Sequence, residues 1–473
     1  MPSLPPSPRS PAAVQTLRFF RDPFSLLTEC KERFGDIFTL KLLGMGNWVF
    51  LTSPDLMRDM FKAPAEDLVT GEVNGDTLGF LMGLDAVFSL DGKEHLNRRK
   101  IVLPYFTGKS VKSRVGMMDD VAHQGMAEWP LDRPFPFLRF AHLASLRIMV
   151  KTFFEASSEE VQREMIELFD VFSLKGLRSP LILLSFLQIN LGKHSPWGKI
   201  LAMRDAVGEL VGREIDRRIA DPDAFGDQDV ASSLVKAMVA GEIDVTRQGL
   251  IDEIFNDIFA GHETTGGVLT WTVECILRRP ELLQQLRQEI DGVLGDQPVT
   301  VETIGQLPIT EAIIAEAARY RPLAPQAGFR LVKNEYAIGG YTLPPGTTLA
   351  HGFSVLARNG EVFPNADEFD ICHFHQRKVK HFDWSPFGGG TRMCLGKGSA
   401  EVELAVLLPT IFQHFDLELA QDTVYPVRHG MFFGPNEGLK VRATSRKPVT
   451  RAAGAPATSS AADAPAGRCP VSH

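Results

Sequence analysis

The 473-residue chain is short of the features that mark secreted, membrane-spanning or nucleic-acid-binding proteins. It has five cysteines, Cys30, Cys275, Cys372, Cys394 and Cys469, and no CxxC spacing among them. So odd and unpatterned a set argues against a disulfide framework and for a reducing compartment. Positive charge is not in surplus: 50 Lys and Arg against 58 Asp and Glu leave a formal charge of -8, which speaks against nucleic acid as a partner. No stretch approaches the ~20 apolar residues of a membrane span. The nearest, Pro180–Leu187, is far too short, although the Leu181–Leu187 run suits a mobile lid or a membrane-surface contact. The N-terminus is rich in Pro and Ser and has no secretory apolar segment. A cytoplasmic protein is expected.

What is present is an ordinary globular composition, 44% hydrophobic and 23% charged, long enough for a large core. Residues 1–12, with five prolines, and the Ala/Ser/Pro-rich stretch 446–473 are expected to be disordered. Residues 13–445 between them show no linker, no repeat and no low-complexity segment, and are read as one domain. Strand signals occur at Phe38–Leu42 with Trp48–Thr52 and again along Tyr336–Leu349, where Gly339-Gly340 and Pro344-Pro345-Gly346 mark turns. Helical spacing covers Ser157–Phe172, Val207–Ile219, Leu250–Leu277, Pro280–Leu294, Thr310–Tyr320 and Gly398–Phe412, with a kink expected at Pro409. The class is mainly α with a small, discontinuous β region.

The most informative segment is Phe387-Gly388-Gly389-Gly390-Thr391-Arg392-Met393-Cys394-Leu395-Gly396. A cysteine behind a glycine-rich turn, beside an arginine and just before a helix, is placed to be a thiolate and an iron ligand. The glycines let the backbone approach a flat ligand. The amides of Leu395 and Gly396 are expected to donate to the sulfur, Phe387 to shield it, and Arg392 to meet a propionate.

A second segment, Ala260-Gly261-His262-Glu263-Thr264-Thr265, lies in the longest helix. An internal glycine costs about 1 kcal/mol and the threonine hydroxyls can bond backwards to carbonyls, so a local widening of the helix is expected. Thr264 and Glu263 suit the hydroxyl and carboxylate that proton delivery to bound dioxygen requires. His262 receives no role.

On these residues the chain resembles the cytochrome P-450 superfamily. The family's haem loop reads Phe-x-x-Gly-x-Arg-x-Cys-x-Gly, and Phe387, Gly390, Arg392, Cys394 and Gly396 fill its fixed positions. Its Ala/Gly-Gly-x-Asp/Glu-Thr-Thr/Ser signature matches Ala260–Thr265, and the likeness runs from about Pro5 to Val441. It implies a helical triangular prism enclosing haem b, with Cys394 as axial iron ligand and Phe387, Gly388, Gly396 and Ala260 against the cofactor. His95, Arg99, Arg330 and Arg392 would hold the propionates. Glu316 and Arg319 would form the scaffold pair of an ExxR element. The third member of that network is normally an arginine, and His373 stands in its place here.

The resemblance also implies a hydrophobic pocket, with Leu78, Phe80, Leu81, Asn256, Leu323, Phe329, Met431 and Phe432 as lining candidates. Core packing is the ordinary alternative for each of them. The expected activity is a monooxygenase hydroxylating or epoxidising a small-to-medium hydrophobic substrate, such as a fatty acid, terpenoid or steroid. A peroxide-driven peroxygenase and a non-catalytic haem sensor or carrier are the other readings. No flavin or nicotinamide domain follows Val441, so electrons are expected from a separate ferredoxin or flavodoxin with its reductase. Arg98, Lys100, Lys109 and Lys112 offer positive charge for that docking. A monomer without a transmembrane anchor is expected.

Overall fold

Helices begin where capping side chains meet apolar spacing. Eight of them carry the body: α1 (Gly92–Val102), α2 (Phe137–Phe154), α3 (Glu159–Val171), α4 (Pro196–Ala220), α5 (Arg247–Leu277), α6 (Pro280–Val293), α7 (Pro308–Tyr320) and α8 (Lys397–His414). The Ser158 side chain accepts from the Val161 amide to start α3, Ser195 from Gly198 to start α4, and Thr246 from Gly249 to start α5. Helix α4 starts well before the expected Val207, because Ser195-Pro196 supplies a start signal that the charged Lys199, Arg204 and Asp205 hide from apolar periodicity. Pro409 sits inside α8, which continues past it to His414.

The protein, seen in a computed structural model, is described over residues 3–183, 188–225, 229–375 and 377–445. Residues 184–187 of the apolar run and the 446–473 stretch lie outside the described residues. Among the described residues no helix is long and apolar enough to cross a membrane.

The β region is small and discontinuous. Strands β1 (Ile37–Leu42) and β2 (Gly46–Leu51) form the expected hairpin, with Ile37 opposite Leu51. They join β3 (Leu68–Val69), β5 (Ala327–Val332) and β8 (Thr348–His351) in a sheet of order β1-β2-β8-β5-β3. β2 pairs with β8 in parallel, Trp48 beside Thr348. The Tyr336–Leu349 stretch divides: β6 (Tyr336–Ile338) and β7 (Tyr341–Leu343) close on each other, while β8 joins the main sheet. Elsewhere β4 (Phe135–Pro136), β12 (Lys440–Ser445) and β9 (Phe415–Leu419) form one sheet, and β10 (Pro426–His429) pairs with β11 (Phe432–Pro435).

The first residues are not loose. Ser3 N donates to Thr342 O at 2.9 Å, and Thr39 donates from its amide to Pro6 O and from its hydroxyl to Pro5 O, at 2.8 and 2.9 Å. Proline content forbids a helix there but not an extended arm docked on a sheet, which corrects the expectation for the described residues up to Pro11. Among the described residues Cys30, Cys275 and Cys394 are free thiols.

Helix α5 is the axis of the molecule. At 1.5 Å per residue its 31 residues span roughly 46 Å, and 24 of them are buried. Phe255 and Phe259 pack with Phe169 and Phe172, ring centroids 5.3 to 6.4 Å apart. Each such ring contributes about 1.5–3 kcal/mol by leaving water. On its other side, its own Leu269 and Val273 join Phe137 and Phe140 of α2 in a second apolar cluster. Helix α2 approaches α5 closely because Gly266 has no side chain: a Cβ there would meet His142 Cδ2 at 2.5 Å and the Ala141 carbonyl carbon at 2.9 Å.

Candidate active site

The Cys394 loop is shaped by two glycines in left-handed conformation, Gly388 (φ 70°) and Gly390 (φ 66°). A Cβ on Gly390 would lie 2.4 Å from Phe61 O, so the close approach requires glycine. Cys394 N donates to Phe387 O at 2.9 Å, which closes the turn before α8. The amides directed at the sulfur are those of Gly396 and Lys397, one residue further on than Leu395 and Gly396, because the last loop residue rather than the first faces the thiol. Burial is the largest influence on the Cys394 thiol and pushes its pKa up; the Gly396 amide and Arg99 pull it down without prevailing, and Asp257 adds to the rise. The helix terminus and arginine therefore do not by themselves make the thiolate that the loop suggested. A metal ion, which deprotonates a coordinating thiol outright, has to complete it.

Cys394 has accessible surface although the chain encloses it on nearly all sides, so it faces an interior space. Helix α5 has an open face of its own. Ala260 is exposed and Thr264 and Val268 are half-buried, whereas their neighbours Phe259, His262, Thr265 and Leu269 are buried and Gly261 faces Met149. That spacing is one stripe of a helix. The α5 helix runs unbroken through it, and Thr264 Oγ1 donates to Ala260 O at 2.8 Å, so the expected widening is not seen: the hydroxyl bonds back within a regular helix.

The four expected propionate ligands converge. Burial comes first and the charges of Arg392, Arg99 and Arg330 follow in holding the His95 pKa down at about 4. Burial, with Arg392 nearby, lowers Arg330 to about 10. Arg392 is not free-standing: it pairs with Asp91 at 2.5 Å and donates to Val87 O and Leu90 O. The Asp91 carboxylate also accepts from the amides of Thr70, Gly71 and Glu72 at 2.8 to 3.0 Å. Asp91 escaped the sequence reading because its partners are a loop twenty residues earlier and an arginine three hundred residues later. Arg98 is corrected outright. It is buried, donates to Glu253 Oε2 at 3.0 Å and to Asp85 O, and so is not part of a docking face. Lys100, Lys109 and Lys112 are exposed.

Glu263 is buried, with Oε1 3.6 Å from His262 Nε2 and 3.8 Å from His142 Nδ1. Burial would raise its pKa; His142, His262 and the Ser173 hydroxyl outweigh it and bring the acid down to about 2. His262, unassigned from sequence, bonds through Nδ1 to Ile258 O (2.8 Å) and through Nε2 to Ser173 Oγ (2.9 Å). His142 gave no sequence signal, because nothing local says which helix meets Gly266.

Glu316, Arg319 and His373 lie together. Arg319 grips Glu316 with two bonds of 2.6 and 2.7 Å and donates to the carbonyls of Ala357, Ala366 and Glu368. His373 Nδ1 stands 3.1 Å from Glu316 Oε1. Of the pocket candidates, Leu78, Phe80, Leu81 and Met431 share one apolar cluster with Phe255 and Phe259, and Asn256 is buried beside them on α5. Phe329 is not brought to that group. It packs on Trp48, centroids 4.9 Å apart, in a different cluster. Leu323 lies over Gly267 of α5, and its carbonyl accepts from Phe433 N at 2.7 Å, next to Phe432 in β11.

A thiol under two amides, three cationic arginines with the neutral His95 among them, and an open helical stripe give the donor set that an anionic, flat iron cofactor needs. The comparisons point the same way. The family model "Cytochrome P450" matches residues 2–442. The Mycobacterium tuberculosis (strain ATCC 25618 / H37Rv) protein "Putative cytochrome P450 138" is 30% identical over 441 residues, covering 93% of this chain and 96% of its own. "Putative cytochrome P450 135B1" of the same strain is 27% identical over 470 residues, 98% and 96%. Among solved structures, "Retinoic acid bound cyanobacterial CYP120A1" superposes with a TM-score of 0.82 at 22% identity, covering 94% of this chain and all of the other. "Crystal structure of cytochrome P450DA heme domain" does so at 0.82 and 21%, covering 95% and 99%. Sequence along nearly the whole chain, fold and cysteine loop agree: the chain belongs to the cytochrome P450 family.

Proposed function

We propose that this haem-thiolate oxidoreductase inserts one oxygen atom from dioxygen into an uncharged hydrophobic substrate, drawing electrons from a separate redox protein. The observation that carries the reading is the open stripe Ala260–Thr264–Val268 on α5, together with a cysteine that likewise faces interior space. Cys394 would hold the haem iron, and His95, Arg99, Arg330 and Arg392 its propionates. The bound haem supplies dioxygen activation, with the thiolate favouring cleavage of the oxygen–oxygen bond.

The chain's own residues then have three tasks. Leu78, Phe80, Leu81 and Met431, packed with Phe255 and Phe259, offer an apolar wall that excludes water and suits an aliphatic or terpenoid skeleton. Glu263 holds and passes protons, and the Thr264 hydroxyl fixes their last carrier on the open stripe. Exposed Lys100, Lys109 and Lys112 suit an acidic ferredoxin or flavodoxin.

The test is spectroscopic first. The reduced carbon-monoxide complex should show the red-shifted band of thiolate ligation, and Cys394→His should lose it. With a ferredoxin and its reductase, NADPH consumption should then respond to lipophilic compounds that displace the distal water. A haem-free protein, or a complex with the spectrum of histidine ligation, would sink the proposal.

A further inference from the structure

A cavity of about 280 Å³ lies between α2, α5, the π-helical turn Phe172–Leu177 and β10. Exposed Pro136, Arg178 and Glu437 belong to its wall, and so do the buried His262 and Glu263. It therefore reaches from the surface to the carboxylate placed in proton delivery. His142 lines the same cavity, with Nδ1 facing Glu263 Oε1 at 3.8 Å. The approach is fixed by backbone, since only glycine at position 266 leaves room for the His142 ring.

We infer that His142 is the entry residue for protons in this centre, taking them from the cavity and giving them to Glu263. The inference rests on the reading of Glu263 and Thr264 as the proton-delivery pair. A proton from bulk solvent arrives on cavity water as hydronium; as that O–H bond breaks, an N–H bond forms at one ring nitrogen and water is left behind. The N–H at Nδ1 breaks as an O–H bond forms on Glu263. The ring returns to its neutral form and no electron moves. The 3.8 Å gap closes by rotation of the carboxylate or through one bridging water.

The other imidazoles are committed elsewhere. His262 spends Nδ1 on Ile258 O and Nε2 on the Ser173 hydroxyl. His429 Nε2 faces Pro435 O at 3.3 Å. The charges facing His142 are Glu263 and His262 from α5, Arg178 beyond the π-helical turn, and His429 from β10. Arg139, one turn away on α2, is taken up by both oxygens of Asp170 on α3. Burial first, then His262, Arg178 and His429, hold His142 down at about 4 against the pull of Glu263, itself at about 2. Near neutral pH the pair is a neutral ring beside a carboxylate, and a captured proton rests on the ring before it reaches the acid.

The holoenzyme is supplied with NADPH, a ferredoxin and its reductase, with dioxygen as the only co-substrate. His142→Gln, which keeps polarity but carries no proton, and His142→Phe should both slow NADPH consumption several-fold and enlarge its solvent deuterium effect. Glu263→Gln should do the same, and the double variant should be no slower than Glu263→Gln alone. Apart from turnover, carbon-13 NMR should show the Glu263 carboxylate titrating at higher pH in His142→Phe. An unchanged carbon-monoxide spectrum and thermal midpoint show that each variant is folded; His142→Gln carries the test if the phenylalanine variant is not. Wild-type rate and isotope effect in His142→Gln, with Glu263→Gln slowed, would overturn the role of His142 alone. A Glu263→Gln enzyme indistinguishable from wild type would overturn the delivery pair itself.

Discussion

His373 Nδ1 lies 3.1 Å from Glu316 Oε1, and the same ring reaches the Pro364 carbonyl through Nε2 at 2.7 Å. Both partners accept, so the two contacts are satisfied together when both ring nitrogens donate and the imidazole is a cation. It supplies the positive charge that an arginine would bring to the scaffold triad, but its charge depends on pH. Burial alone would lower its pKa; the Glu316 carboxylate and the Pro364 carbonyl outweigh it and the net direction is upward. A group whose folded pKa lies above its unfolded one stabilises fully below the unfolded value, about 6.5 for histidine, and loses that contribution as pH rises through the folded value. Urea midpoints should therefore fall from pH 6 upward more steeply in the natural protein than in His373→Arg. Equal slopes would show that the ring is neutral.

The buried Arg98–Glu253 pair predicts an asymmetric double-mutant cycle. Arg98→Met leaves a carboxylate in the interior and should cost about 3–5 kcal/mol. Arg98→Met with Glu253→Leu removes both charges and should recover most of that loss. Denaturant unfolding at pH 7 measures both, and a double variant as unstable as the single one would contradict the pairing.

Haem retention should depend on Arg330. It is buried beside Arg392 and His95, and a charge-assisted bond to a propionate is worth about 1.5–3 kcal/mol. Arg330→Leu should speed transfer of haem to apomyoglobin by roughly ten- to a hundredfold, at 1.36 kcal/mol per factor of ten. Retention equal to the natural protein would remove Arg330 from the cofactor site.

Two glycine substitutions should move in opposite directions. Gly266→Ala drives a methyl into the α2 backbone and should cost about 1–3 kcal/mol. Gly292→Ala in α6 meets nothing within 4 Å and should gain about 0.5–1 kcal/mol. Thermal midpoints of the two variants decide the matter.

How much of this was written in the sequence follows from the range of each interaction. Phe387–Gly396 is contiguous, so the turn, the glycines and the ligand can be read together. Glu316 and Arg319 are three apart on one helix, and His373 is found from its likeness to a motif position. Arg98, His142 and Asp91 were misread or missed for one physical reason. Their partners, Glu253, Glu263 and Arg392, come from elements whose packing no local pattern states. Charge on a helix reads as solvent-facing until a second helix is laid over it. Phe329 shows the converse: it sits in a stretch expected to line the pocket, but its ring packs on Trp48 at the edge of another cluster.

The main sheet draws β1, β2 and β3 from the first seventy residues and β5 and β8 from beyond residue 326. During synthesis, β2 leaves the ribosome long before Thr348 exists to pair with Trp48. At about 5–20 residues per second, the interval between those two residues is roughly 15–60 s. Throughout it, Val49, Phe50 and Leu51, all fully buried at the end, face water along an unpaired edge. The nascent chain thus has a long window in which a chaperone is useful, and slowing translation between Leu51 and Thr348 should lower soluble yield.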